Sequence, residues 1–95
     1  MAGFEVNKYY IVSEVSAVCK HALVRLDTWD NNRQAGYVTI IDGVGRYNDI
    51  TQDHLTRESA WLIAYKQVIH QFKTKRAALA FWKRHKESYF LTSLL

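Results

Sequence analysis

The hydrophobic pattern of this 95-residue chain changes character midway, and that change sets the fold class. Up to Tyr47 the apolar residues gather in short β-branched and aromatic runs bounded by Asp, Asn and Gly, as strands and turns require. From Asp53 onward they recur at three- and four-residue spacing, as helices require. Together the halves predict an α+β fold. A small N-terminal antiparallel sheet of about three strands, at about residues 8–47, is expected to pack on two C-terminal helices, at about 53–72 and 75–88.

The length fits a single domain over residues 1–95. A chain of this size buries only about 60–65% of its unfolded surface, so its core is thin. Thirteen aromatic residues offset this, because each buries about 150–250 Å². Proline is absent and there is no Ser/Gly-rich stretch, so no linker or second domain is expected.

Lys8 to Ser13 holds Tyr9-Tyr10-Ile11-Val12 and predicts a first strand. The next segment reads two ways. At helical spacing Val15, Val18, Cys19, Ala22, Leu23 and Leu26 share a face, whereas the β-prone run from Leu23 to Trp29 favours a strand over Val18–Trp29. Asp30-Asn31-Asn32-Arg33-Gln34 predicts a turn, and Gly36 to Ile41 is the clearest strand. Asp42-Gly43 then signals a type I′ hairpin, with Val44 to Tyr47 as a return arm and Asn48 to Gln52 as a polar connection.

Beyond it, Ala60, Trp61, Ala64, Tyr65, Val68, Ile69 and Phe72 fill one arc of a long helix capped by Asp53. Thr74 caps a second helix. Ala77, Ala78, Phe81, Trp82 and His85 face inward on it, and Lys75, Arg76, Lys83, Lys86 and Glu87 face outward. The apolar tail Tyr89–Leu95 is expected to pack on the domain or on another subunit.

Charge is split unevenly. From Lys66 to the end, seven basic residues face Glu87 alone; upstream, six basic residues face eight acidic ones. A cationic helical tail attracts polyanions. Two helices joined by a short turn also resemble the layout of a helix-turn-helix. The preferred expectation is therefore a small non-enzymatic regulator that contacts nucleic acid through Lys75, Arg76, Lys83, Arg84 and Lys86. The second helix carries no Asn or Gln for base edges, so contact would be led by the phosphate backbone. Tyr9, Tyr37 and Tyr47 lie near Lys8, Arg33 and Arg46, a mixture that also occurs where bases stack on a sheet, although strand tyrosines more often serve packing.

The competing expectation is a protein-binding adaptor or inhibitor, of the kind phages and mobile elements encode, with a homodimer as one form. The helical arc widens beyond what a small sheet covers once Leu62 and Ile63 join it. Trp61, Leu62, Ile69, Phe90 and Leu94 are the candidate protein interface.

No catalytic, metal or cofactor motif is read. The Gly43-Val44-Gly45 pair lacks the Lys-Ser/Thr of a phosphate loop, and the four histidines show no zinc spacing. Asp49, Asp53 and His54 form the one tight acid–histidine cluster, and a small hydrolase centred on His54 is the lesser alternative. Cys19 alone permits no internal disulfide and reads as a small core hydrophobe. The start of the chain does not read as a signal peptide, and no apolar run is long enough to span a bilayer. A cytoplasmic location without membrane contact is expected.

Overall fold

The computed structural model describes residues 4–57 and 61–94. Met1, Ala2, Gly3, Ala60 and Leu95, on which some of the readings above touch, lie outside that set. The elements run β1 (Tyr9–Ser13), β2 (His21–Leu26), β3 (Ala35–Val44), α1 (Asn48–Arg57), β4 (Trp61–Ala64), a 3₁₀ turn (Tyr65–Gln67), β5 (Val68–Phe72) and α2 (Lys75–Thr92). The fold is α+β, with five antiparallel strands in the order β4-β3-β2-β1-β5 in place of the expected three.

Three residues join β4 to β5, although these strands occupy opposite edges. A flat sheet would hold them four strand spacings apart, about 19 Å. The path from Ala64 to Val68 spans at most about 14 Å. The sheet must therefore curl into an open barrel. Gln67 ties the closure: its Nε2 donates to the Ser13 and Glu14 carbonyls at 3.2 and 3.1 Å, and its Oε1 accepts from the Ala64 amide at 2.7 Å.

Period-two alternation sorts the strand residues between two cores. Inside the barrel lie Tyr10, Val12, Cys19, Ala22, Val24, Leu26, Val38 and Ile63, with Phe4, Trp29, Leu55 and Trp61 packed around them. Outside, Ile11, Leu23 and Val44 meet Ala78 and Trp82 of α2, with Tyr9, Phe72, Phe81, Tyr89 and Phe90 against them. The thin core expected from length becomes two thin cores sharing one sheet.

The long helix expected at 53–72 does not form. Its first part belongs to α1, which starts at Asn48, so Asp53 lies within a helix and does not cap one. Residues 61–72 form β4, the 3₁₀ turn and β5, because the β-prone Trp61, Ile63, Val68 and Phe72 find backbone partners on β3 and β1. The polar connection expected at Asn48–Gln52 is the start of α1, where Thr51 is buried and its hydroxyl donates to the Val18 and Tyr47 carbonyls.

Asp42-Gly43 makes no hairpin either. β3 continues to Val44, and the register shift between Leu23 and Val24 leaves a bulge at Ile41. Gly43 serves close packing: a Cβ there would lie 2.8 Å from Cys19 Sγ and 2.9 Å from Leu55 Cδ1. Between residues 15 and 28 the strand reading holds, shortened to β2.

The turn at 30–34 forms, with Asp30 Oδ1 accepting from the Asn32 and Arg33 amides. Thr74 caps α2, its hydroxyl accepting from the Ala77 amide at 3.1 Å, and α2 runs four residues past the expected Ser88. No helix among the described residues is long and apolar enough to cross a membrane.

Candidate functional site

α2 lies on the outer face of the barrel, and its contacts fix which flank faces where. Phe81 meets Phe72 and His70 of β5, with ring centroids 5.2 and 4.7 Å apart. Trp82 and Lys86 reach Asp42 of β3, and Tyr89 stacks on His21 of β2 at 4.6 Å. The helix thus crosses the sheet diagonally, with Leu79, Lys83, Lys86 and Phe90 on the flank toward β3.

Lys75, Arg76, Lys83 and Arg84 are exposed, and among the described residues no ion pair holds any of them. Arg76, Lys83 and Arg84 fall within an arc of about 100° on the helix, with Glu87 among them. Lys75 begins the helix, and no acid stands in the first turn. Lys86 differs from the other four. It is half-buried, its Nζ 2.6 Å from Asp42 Oδ2, which also accepts from Trp82 Nε1 at 2.9 Å. Asp42 Oδ1 accepts from the Gly43 amide at 2.9 Å. Burial pushes the Asp42 carboxyl up, but the hydrogen bonds from Lys86 and Trp82 outweigh it and hold the group below its ordinary value.

The helix-turn-helix layout is absent, because the element before α2 is strand β5. The five apolar candidates do not share a helix face. Trp61 packs into the barrel, its ring 5.0 Å from His54, and Phe90 packs on the outer core. Leu62 is 60% exposed on the outer face of β4, directly opposite Tyr37 of β3, which is 51% exposed. Ile69 is exposed at an irregularity of β5, and Leu94 is exposed beyond α2.

A cleft of about 320 Å³ opens between α2 and the end of β3, lined by Val44, Lys83, Lys86, Glu87 and Phe90. Farther back along β3 come the exposed Ile41, the half-buried Thr39 and then Tyr37. Arg25 of β2 pairs with Thr39 there and is held by Asp27 at 3.1 Å. Of the other tyrosines, Tyr9 is packed in the outer core, and Tyr47 is exposed beside the Arg46 guanidinium at 6.0 Å.

The His54 cluster borders a second cleft of about 340 Å³ with Ser16, Ala17, Val18, Ile50 and Asp53. Ser16 Oγ accepts from the Val18 and Cys19 amides, and His54 Nε2 is buried beside Trp61 without a hydrogen-bond partner among the described residues. Among the described residues no hydrogen bond links Ser16 to His54. Among the described residues no group of three or more His, Cys, Asp or Glu could hold a metal. Cys19 is a buried free thiol whose pKa is pushed up to about 11 by burial and then by the Asp42 charge.

Sequence reasoning missed both the Asp42 anchor and the groove beside it. Asp42 and Lys86 have no local signal linking them. Tyr37 and Leu62 become neighbours only once β4 exists. Compared with protein-family models, curated proteins and solved structures, the chain matches none.

Proposed function

We propose that this chain is a non-enzymatic binding protein that engages nucleic acid through α2. The observation that carries the reading is the set of four exposed cations, Lys75, Arg76, Lys83 and Arg84, without ion-pair partners among the described residues. Their placement adds support. Lys75 and Arg76 stand at the positive end of the helix dipole, where a cation typically costs about 0.3–1 kcal/mol. Stability alone does not favour that arrangement, whereas an arriving phosphate is attracted by the side chains and the helix end together.

Lys86 stays outside this set because Asp42 engages it. Four cations meeting four phosphates give a slope of log affinity on log salt near −3.6 for duplex and near −2.8 for a single strand. The test is binding of duplex and single-stranded probes across a salt series, by the native chain and by a Lys75→Glu/Arg76→Glu/Lys83→Glu variant. Steep salt dependence lost in the variant supports the reading. Salt-independent binding, or an unaffected variant, refutes it.

The second reading, a protein-binding adaptor or inhibitor, rests on a different feature. Among the described residues β5 pairs with β1 alone, and Ile69 is exposed on this edge strand. Such an edge accepts a strand from a partner or from a second copy. A concentration-dependent dimer that Ile69→Lys dissociates would favour it.

A further inference from the structure

We infer that the nucleic acid is single-stranded and lies in the groove between α2 and β3, its bases against the protein and its phosphates along the α2 flank. The inference rests on the reading of α2 as the phosphate-binding element and adds the class of nucleic acid and its path.

Two features of the groove have no use in duplex binding. One is the cleft with Val44 and Phe90 among its lining residues and Lys83 on its α2 side. The other is the exposed Tyr37, with Leu62 directly opposite, on the part of the outer face farther back along β3. A duplex keeps its base faces stacked and presents phosphates and groove edges. A single strand presents base faces, and these stack on aromatic rings and apolar surfaces.

The proposed path follows β3. From Val44 back to Tyr37 β3 spans about 23 Å, roughly the length of six or seven stacked nucleotides at about 3.4 Å each. Ile41 of β3 and Leu79 of α2, both exposed, supply apolar surface between the ends.

Charge selects the occupant. Lys83 lines the cleft, Arg76 and Arg84 lie on the same exposed arc of α2 and Lys75 stands at the head of the helix, while Glu87 is the one acid lining the cleft. The other charges are cancelled in pairs, Arg25 with Asp27 and Lys86 with Asp42. The apolar surface is therefore bordered by unpaired positive charge, which suits a polyanion with hydrophobic faces better than a neutral peptide.

The test uses fluorescence anisotropy with a labelled oligothymidylate of about twelve nucleotides and a duplex of equal length, twice the groove's capacity. The native chain is expected to prefer the single strand. Tyr37→Ala should weaken single-strand binding by roughly five- to 150-fold and leave duplex binding unchanged, while Tyr37→Phe retains native affinity. Thermal melts confirm folding, and Leu62→Gln replaces Tyr37→Ala if that variant does not fold.

Unchanged single-strand affinity in the folded variant, with binding still abolished by charge reversal on α2, overturns the groove and leaves the basic-helix reading standing. Absence of binding to either probe overturns both. A dimer in light scattering that Leu62→Glu dissociates also overturns the groove, by assigning that face to a second copy of the chain.

Discussion

Lys86 and Asp42 meet at 2.6 Å across the junction of α2 and β3, 44 positions apart in the chain. The contact removes one lysine from the basic face and makes it part of the scaffold that presents the others. Trp82 Nε1 donates to the same carboxylate oxygen, so one aspartate fixes both the depth and the rotation of α2 on the barrel.

Asp42→Ala should therefore destabilise the fold more than Lys86→Met. Loss of the carboxylate leaves the N–H of the buried Trp82 without its acceptor, a cost of about 1–3 kcal/mol. Loss of Lys86 breaks a partly exposed ion pair, a cost of about 0–1 kcal/mol. Urea denaturation at neutral pH measures both. The pH dependence has a definite sign. A carboxyl held below its ordinary value contributes stability that is present above about pH 4 and is lost as pH falls through its folded value. Asp42→Asn should lack that acid-sensitive component.

Gly43 and Cys19 should be coupled. Gly43→Ala places a methyl 2.8 Å from Cys19 Sγ and 2.9 Å from Leu55 Cδ1, and overpacking of this kind costs about 1–3 kcal/mol. Cys19→Ala opens space on one side, so the double variant should be more stable than the sum of the single effects predicts. Gly45→Ala offers no such rescue, because its methyl would collide with the Val18 carbonyl. A double-mutant cycle by urea denaturation checks both statements.

His21 should make the fold sensitive to mild acid. Burial lowers its pKa, its ring stacks on Tyr89, and its Nδ1 has no hydrogen-bond partner. The folded chain therefore favours the neutral imidazole. Its stability should fall as pH drops below about 6.5, where the unfolded chain takes up the proton first. His21→Phe keeps the stacking and should flatten the difference between melts at about pH 7.5 and pH 5 relative to the native chain.

Local signals in the sequence translated well. Thr74 as a cap, the Asp30–Gln34 turn and the strand through Tyr37–Ile41 each depend on a few adjacent residues, and each is present. In segments 61–64 and 68–72 the apolar residues fit helical spacing as well as they fit two short strands, so local pattern does not separate the two. The 3₁₀ turn at Tyr65–Gln67 also breaks the alternation that would have separated the two. Their choice of strand depends on β3 and β1, which lie far away in sequence.

Gly43 shows the same limit at one residue. After Asp42 it carries a turn signature, but its smallness serves the approach of Cys19 and Leu55. At the candidate site, the charge of α2 was legible and the pairing of Lys86 was not, because an ion pair across 44 positions leaves no local trace.

The phosphate contacts of α2 can be counted one side chain at a time. Single-strand affinity is measured across a salt series for the native chain and for separate Gln substitutions at Lys75, Arg76, Lys83, Arg84 and Lys86. The expected native slope is near −2.8, becoming shallower by about 0.7 for each of the first four and unchanged for Lys86→Gln. A slope near zero, or one that responds to Lys86 and not to the other four, would contradict it.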